Sequence, residues 1–155
     1  MNMKNKAEGD MLDHENKMMS KFKAERDARR GSSKQVIVIR KDLNMRKGKM
    51  ISQGAHASMS VLLDRIHTHG GKLVTVQDEA FHDWLEDKFT KITVYVESEE
   101  ELLQVYEKAK DCGLPCSLIK DAGLTEFTEP THTCVAVGPG WVEEINSVTG
   151  HLKLL

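Results

Sequence analysis

Four consecutive β-branched residues, Val36-Ile37-Val38-Ile39, restrict the possible folds of this chain more than any other feature. A strand with one face in water alternates apolar and polar residues. An unbroken apolar run belongs inside a sheet that is covered on both faces. The strand is read as residues 35–40. It runs into a loop with Arg40, Lys41, Arg46, Lys47 and Lys49 against a single acid, Asp42. A helical pattern follows, read as residues 47–68. With Lys49 at zero, Gln53, His56 and Ser60 fall within about 40° of it. Ile51, Ala55, Met59, Leu62 and Ile66 fall on the far side, so most of the circumference can be buried. A solvated stripe usually mixes Glu and Lys. This one carries a cation, an amide, an imidazole and a hydroxyl, and reads either as a satisfied polar seam or as the wall of a site entered from the basic loop.

The rest of the chain repeats the alternation. Residues 72–76 read as loop or a small strand. A short helix covers 79–88, with Gln77 or Asp78 placed to cap it. A second strand covers 91–97. Ser98 followed by Glu99, Glu100 and Glu101 is a capped helix start, and that helix runs to Asp111, before Gly113 and Pro115. Further strands are read at 115–120 and 133–137, and a last helix at 141–148. Strands alternating with helices predict an α/β domain with a four-stranded sheet and helices on both faces. Ligands of such sheets bind at strand ends. The loop after the first strand and the turn at Asp121–Thr125 share an edge if their strands are parallel and adjacent.

At 155 residues and 39% hydrophobic content there is enough chain for one core. Residues 1–34 are read apart from it, as a helical or flexible arm with Met11, Leu12, Met18, Met19 and Phe22 at helical spacing; the domain proper is 35–155. The arm carries nine basic and six acidic residues, the domain thirteen and eighteen. That acidic domain speaks mildly against nucleic-acid binding, while the local field of the 40–49 loop favours it. No apolar run reaches the ~18 residues of a membrane span. The absence of a secretory segment leads to an expectation of the cytoplasm. The three cysteines, Cys112, Cys116 and Cys134, read as reduced thiols without metal-ligand spacing. No cofactor and no metal is expected.

Several motifs resemble the class II peptidyl-tRNA hydrolases. They are Met45-Arg-Lys-Gly-Lys49 with Gln53 and Ala55-His56-Ala57; Ser117-Leu-Ile-Lys-Asp-Ala-Gly123 with Thr125; Val137-Gly-Pro139; and Thr149-Gly-His-Leu-Lys-Leu154. The resemblance covers about residues 36–155 and implies a mixed four-stranded sheet and a homodimer. It also implies hydrolysis of the ester between a peptide and the terminal ribose of tRNA. Lys49, Asp121 and Thr125 are then the catalytic residues, with Gln53, His56 and Gly123 in support and Arg40, Lys41, Arg46 and Lys47 toward the tRNA. On pattern alone Asp121 reads first as a turn residue bonding its own backbone, and His56 as a structural hydrogen-bonder rather than a base. The chain departs from the family pattern at Arg46, where glycine is usual; at Leu124, where Lys or Arg is usual; at Glu126, where Gln is common; and at Thr131-His132. Those changes leave a non-catalytic tRNA- or protein-binding module as the alternative.

Overall fold

The computed structural model describes residues 16–21, 23, 24, 28 and 32–155, apart from 70, 71, 76 and 77. In chain order the elements are β1 (Ser33–Arg40), α1 (Lys47–Leu63), β2 (Ile66–His69), β3 (Lys72–Thr75), α2 (Glu79–Glu86) and β4 (Lys91–Val96). They continue with α3 (Glu99–Asp111), β5 (Cys116–Asp121), β6 (Thr131–Trp141), α4 (Val142–Thr149) and β7 (Lys153–Leu154). Ahead of β1, residues 16–21, 23, 24 and 28 are helical and exposed; the remainder of the expected arm helix lies outside the described residues. Among the described residues no helix is long and apolar enough to cross a membrane.

The main sheet has five strands in the order β5-β6-β1-β4-β7, one more than expected. The added strand is β7, two residues that pair antiparallel with Val94 and Tyr95 at the edge. β1 is central, as its unbroken apolar run requires, parallel to β4 and antiparallel to β6. Its alternate residues serve two cores. Val36 and Val38 join Val94, Val96, Val135 and Val137 under α3 and α4, where Leu102, Val105, Ala109, Ile145 and Val148 are buried. Ile37 and Ile39 face the opposite layer, with Ala57 and Val61 of α1 and Cys134 and Ala136 of β6.

Three sequence expectations need correction. Residues 66–68 are not a continuation of α1: the helix ends at Leu63, and Ile66–His69 pairs with Lys72–Thr75 in a separate hairpin. β6 is far longer than residues 133–137, and its single strand includes Gly138-Pro139-Gly140. The apolar far side of α1 is not buried. Ile51, Ala55 and Met59 are exposed, and Gln53, Gly54, Ala57, Ser58 and Val61 are the buried residues. The reason is lateral placement. α1 lies toward one side of the sheet, over β6, β5 and β1 rather than over β4, and its small residues let it approach closely; a Cβ on Gly54 would already touch the Ile37 side chain at 3.6 Å. The acidic start of α3 follows the expected design, with the Ser98 hydroxyl accepting from the Glu101 N–H at 3.2 Å.

Candidate active site

β1 and β5 are not adjacent, but both run antiparallel to β6, which lies between them. Their C-terminal ends therefore reach the same edge. From β1 the chain turns through residues 41–46 into α1, and α1 packs back over β5 and β6. This brings the first turns of the helix against Asp121, the last residue of β5.

Three donors converge there. The Lys49 ammonium donates to Asp121 Oδ2 and, at 3.0 Å, to Thr125 Oγ1. Gln53 Nε2 donates to the same Oδ2 at 3.0 Å, and the Gly123 N–H donates to Oδ1 at 3.0 Å. The Lys49 and Asp121 side chains are each only 12% exposed. The hydrogen bond from Lys49 is the main influence holding the Asp121 carboxyl below the ordinary carboxylate range. The Gly123 amide, the Lys49 charge and Gln53 act in the same direction, and burial opposes them. Gly123 has φ +81°, and a Cβ there would lie 2.6 Å from the Glu129 carbonyl carbon, so the turn that delivers its N–H to Asp121 needs glycine.

Beneath this network lies a residue that sequence reasoning missed. The Thr133 hydroxyl, fully buried in β6, donates to Gln53 Oε1 at 2.5 Å. With its carbonyl held by Thr133, the Gln53 amide must turn its NH₂ toward Asp121. Nothing local marks Thr133, which lies in an otherwise apolar run; only the register of β6 under α1 reveals it. Thr133→Val removes that hydroxyl and leaves Gln53 Oε1 buried without its donor. The expected result is a fall in kcat of roughly tenfold, because a buried acceptor left without its donor costs about 1–3 kcal/mol and about 1.4 kcal/mol is a factor of ten in rate. Thr133→Ser should keep the rate, and steady-state kinetics on the two variants check this.

The other expected residues divide. His56 is exposed, and among the described residues it has no hydrogen-bonding partner; the structure does not bring it to Asp121. Ser60 accepts from the Ser117 hydroxyl at 2.8 Å, a structural tie between α1 and β5. Arg40 is held by Asp42 at 2.6 Å and by the His132 carbonyl at 3.2 Å. Lys41 lies over the Tyr95 ring at 4.1 Å, and Lys47 is exposed. Arg46 is 83% exposed and pairs with Glu126 at 2.7 Å. Its N–H also donates to Glu126 Oε2 at 3.1 Å, which places a carboxylate at the start of α1 and satisfies one of its unpaired donors. Two departures from the family pattern, Arg46 and Glu126, thus face each other. Leu124 stands 88% exposed on the turn beside Thr125. The Cys134 thiol donates to the Gln53 carbonyl at 3.2 Å, and burial pushes it up to about 12, so it stays a protonated packing group. Among the described residues no cluster of His, Cys, Asp and Glu is arranged to hold a metal.

Comparison with known proteins identifies the family. The sequence profile of the peptidyl-tRNA hydrolase family PTH2 matches residues 33–155. A peptidyl-tRNA hydrolase of Methanocaldococcus jannaschii is 46% identical over 122 residues, which is 79% of this chain and 99% of that protein. One from Sulfurisphaera tokodaii is 43% identical over 124 residues, 80% of this chain and 99% of the relative. One from Thermococcus onnurineus is 43% identical over 122 residues, 79% and 97% of the two chains. With a profile match that starts at the first residue of β1 and runs to the C-terminus, the chain belongs to the PTH2 family of peptidyl-tRNA hydrolases.

Proposed function

We propose that this enzyme hydrolyses the ester joining a peptide, or an N-blocked aminoacyl group, to the 3′-terminal ribose of tRNA, with Lys49, Asp121 and Thr125 as its catalytic residues. The convergence of Lys49, Gln53 and Gly123 on one carboxylate carries the reading. Asp121 has three of its roughly four acceptor positions filled. The free position, on Oδ1, accepts from the attacking water and orients it. A carboxylate held below its ordinary range is a weak base, so Asp121 serves first by positioning and takes the proton only as the water's oxygen bonds to the ester carbon. Lys49 donates to Asp121 and Thr125 and has a third N–H left for the oxygen that becomes negative. The ribose oxygen leaves with the proton taken from the water. Gln53 and Gly123 hold the carboxylate, and Lys41, Arg46 and Lys47 meet tRNA phosphates. Arg40, tied to Asp42, shapes the loop instead. The proposal includes a homodimer in the cytoplasm, with residues 1–34 as an arm outside the catalytic domain.

The test is release of labelled N-blocked aminoacyl-tRNA into free tRNA and acid. Binding without release would make the chain a non-catalytic module. The pH profile tests Asp121. Asp121 must be ionised, and its value is lowered, so kcat should stay flat as pH falls from neutrality past about 5 and drop only below the ordinary carboxylate value of about 3.9. An acid limb well above that value would remove Asp121 as the group that must be ionised.

A further inference from the structure

The start of α1 departs from the ordinary rules of a helix terminus. Backbone N–H groups there have no helical partner, and the dipole favours an acid. The first turn of α1 holds no acid, its N-cap residue Arg46 makes no side-chain cap, and Arg46, Lys47 and Lys49 are all basic. Lys49 is the third residue of the helix, the place from which a glutamate commonly reaches back to the N-cap amide. Here that place is given to the ammonium that meets Asp121. The acid has to come from elsewhere.

It comes from the turn after β5. Glu126 Oε2 accepts from the Arg46 N–H at 3.1 Å, and Oε1 accepts from Arg46 Nε at 2.7 Å. The Glu126 side chain is 15% exposed and that of Arg46 83%. The carboxylate therefore lies inward against the helix, and the guanidinium stays outward with one of its five N–H groups used. The hydrogen bond from the Arg46 side chain is the main influence holding the Glu126 carboxyl below the ordinary carboxylate range. The Arg46 amide and the charges of Arg46 and Lys49 act in the same direction, and burial opposes them.

The tip of this turn has no apolar anchor. Ala122, Leu124 and Thr125 are all exposed. Yet the Thr125 hydroxyl has to stay within 3.0 Å of the Lys49 ammonium. Glu126 is the next residue, and Phe127 after it is half-buried against the layer under α1. We propose that Glu126 is a positioning residue of the reaction: by supplying the missing cap of α1 from the facing turn, it fixes the Thr125 hydroxyl and the Lys49 ammonium relative to each other. Without it the exposed Thr125 can turn away. Lys49 then has two N–H groups unheld instead of one, and the one that meets the developing oxyanion loses its direction.

Steady-state release of N-blocked aminoacyl-tRNA by Glu126→Ala and Glu126→Gln tests this, since the proposal rests on the catalytic reading of Lys49 and Thr125. Glutamine can still accept from the Arg46 N–H but cannot form the ion pair. Glu126→Ala should lower kcat roughly tenfold, as loss of a hydrogen bond to a charged group does, with the fold retained in a thermal melt. Glu126→Gln should recover most of the rate. In a Thr125→Val chain, Glu126→Ala should add little, because the two residues act through one contact. Amides of residues 122–129 should exchange faster in Glu126→Ala than in Glu126→Gln or the unaltered chain.

An unchanged kcat in Glu126→Ala would overturn the proposal. So would a rise in KM alone, which would make Glu126 a tRNA contact acting through Arg46. An equal loss in Glu126→Gln would put the ion pair in place of the cap, and losses that multiply with Thr125→Val would separate Glu126 from the threonine; either overturns it. If the unaltered chain released nothing, the catalytic reading would fail instead. The exchange of residues 122–129 involves no hydrolysis, and equal exchange in all three chains would show by itself that Glu126 does not hold the turn.

Discussion

Asp121→Asn is expected to lower kcat for release of N-blocked aminoacyl-tRNA by about 10²–10⁴-fold, the range for loss of a positioned acid–base group. The substitution keeps the shape of the side chain and removes its charge. The Gly123 N–H and one further donor can still be accepted, so the fold should remain, with the melting temperature within a few degrees. What disappears is the position that orients water and takes its proton. Lys49, only 12% exposed, also loses its counter-charge. The check is the saturated rate beside a thermal melt of the same sample. A rate within threefold of the unaltered enzyme would remove the carboxylate from the reaction.

Lys49→Met should cost about 10²–10³-fold in kcat, as loss of one oxyanion donor does elsewhere. Methionine keeps the apolar stem near the Phe127 ring, where the ammonium now lies 5.6 Å from the centroid. A lysine that met only tRNA phosphates would behave differently: its loss would raise KM, flatten the salt dependence and leave kcat alone. Lys49→Met also removes the main influence lowering the Asp121 carboxyl, so the acid limb of the residual activity should move up in pH. Asp121 contributes only when ionised, so activity is lost as pH falls through its value, and a higher value means earlier loss. Combined with Asp121→Asn the effects should fall well short of multiplying, because the two groups act as a unit.

Much of this site was legible before any coordinates. The strand at Val36–Ile39, the helix starting at Lys47 and the Asp121 turn each carry a local signature, and the proposed catalytic groups lie at their ends. The helical wheel shows both the reach and the limit of such reading. Gln53, Ser60, Lys49 and His56 fall at about 40°, 20°, 0° and −20°, and burial declines along that series from buried Gln53 to exposed His56. The wheel says which residues share a face. It does not say where the neighbouring sheet stops covering that face, since this depends on the order of strands. The same blindness buried Ile51 and Met59 on paper and left them open in the fold. β7 was illegible for a simpler reason: two residues are too few to show a period. Thr133 was hidden because its partner is eighty residues away and only strand register joins them.

The position of β6 has a consequence for the making of the protein. Lys49 and Asp121 come from segments on either side of it, and neither can reach the other until residues 131–141 are seated between β1 and β5. β6 thus makes completion of the sheet and assembly of the Lys49–Asp121 pair one event: a chain in which residues 131–141 are unseated holds the two side chains apart.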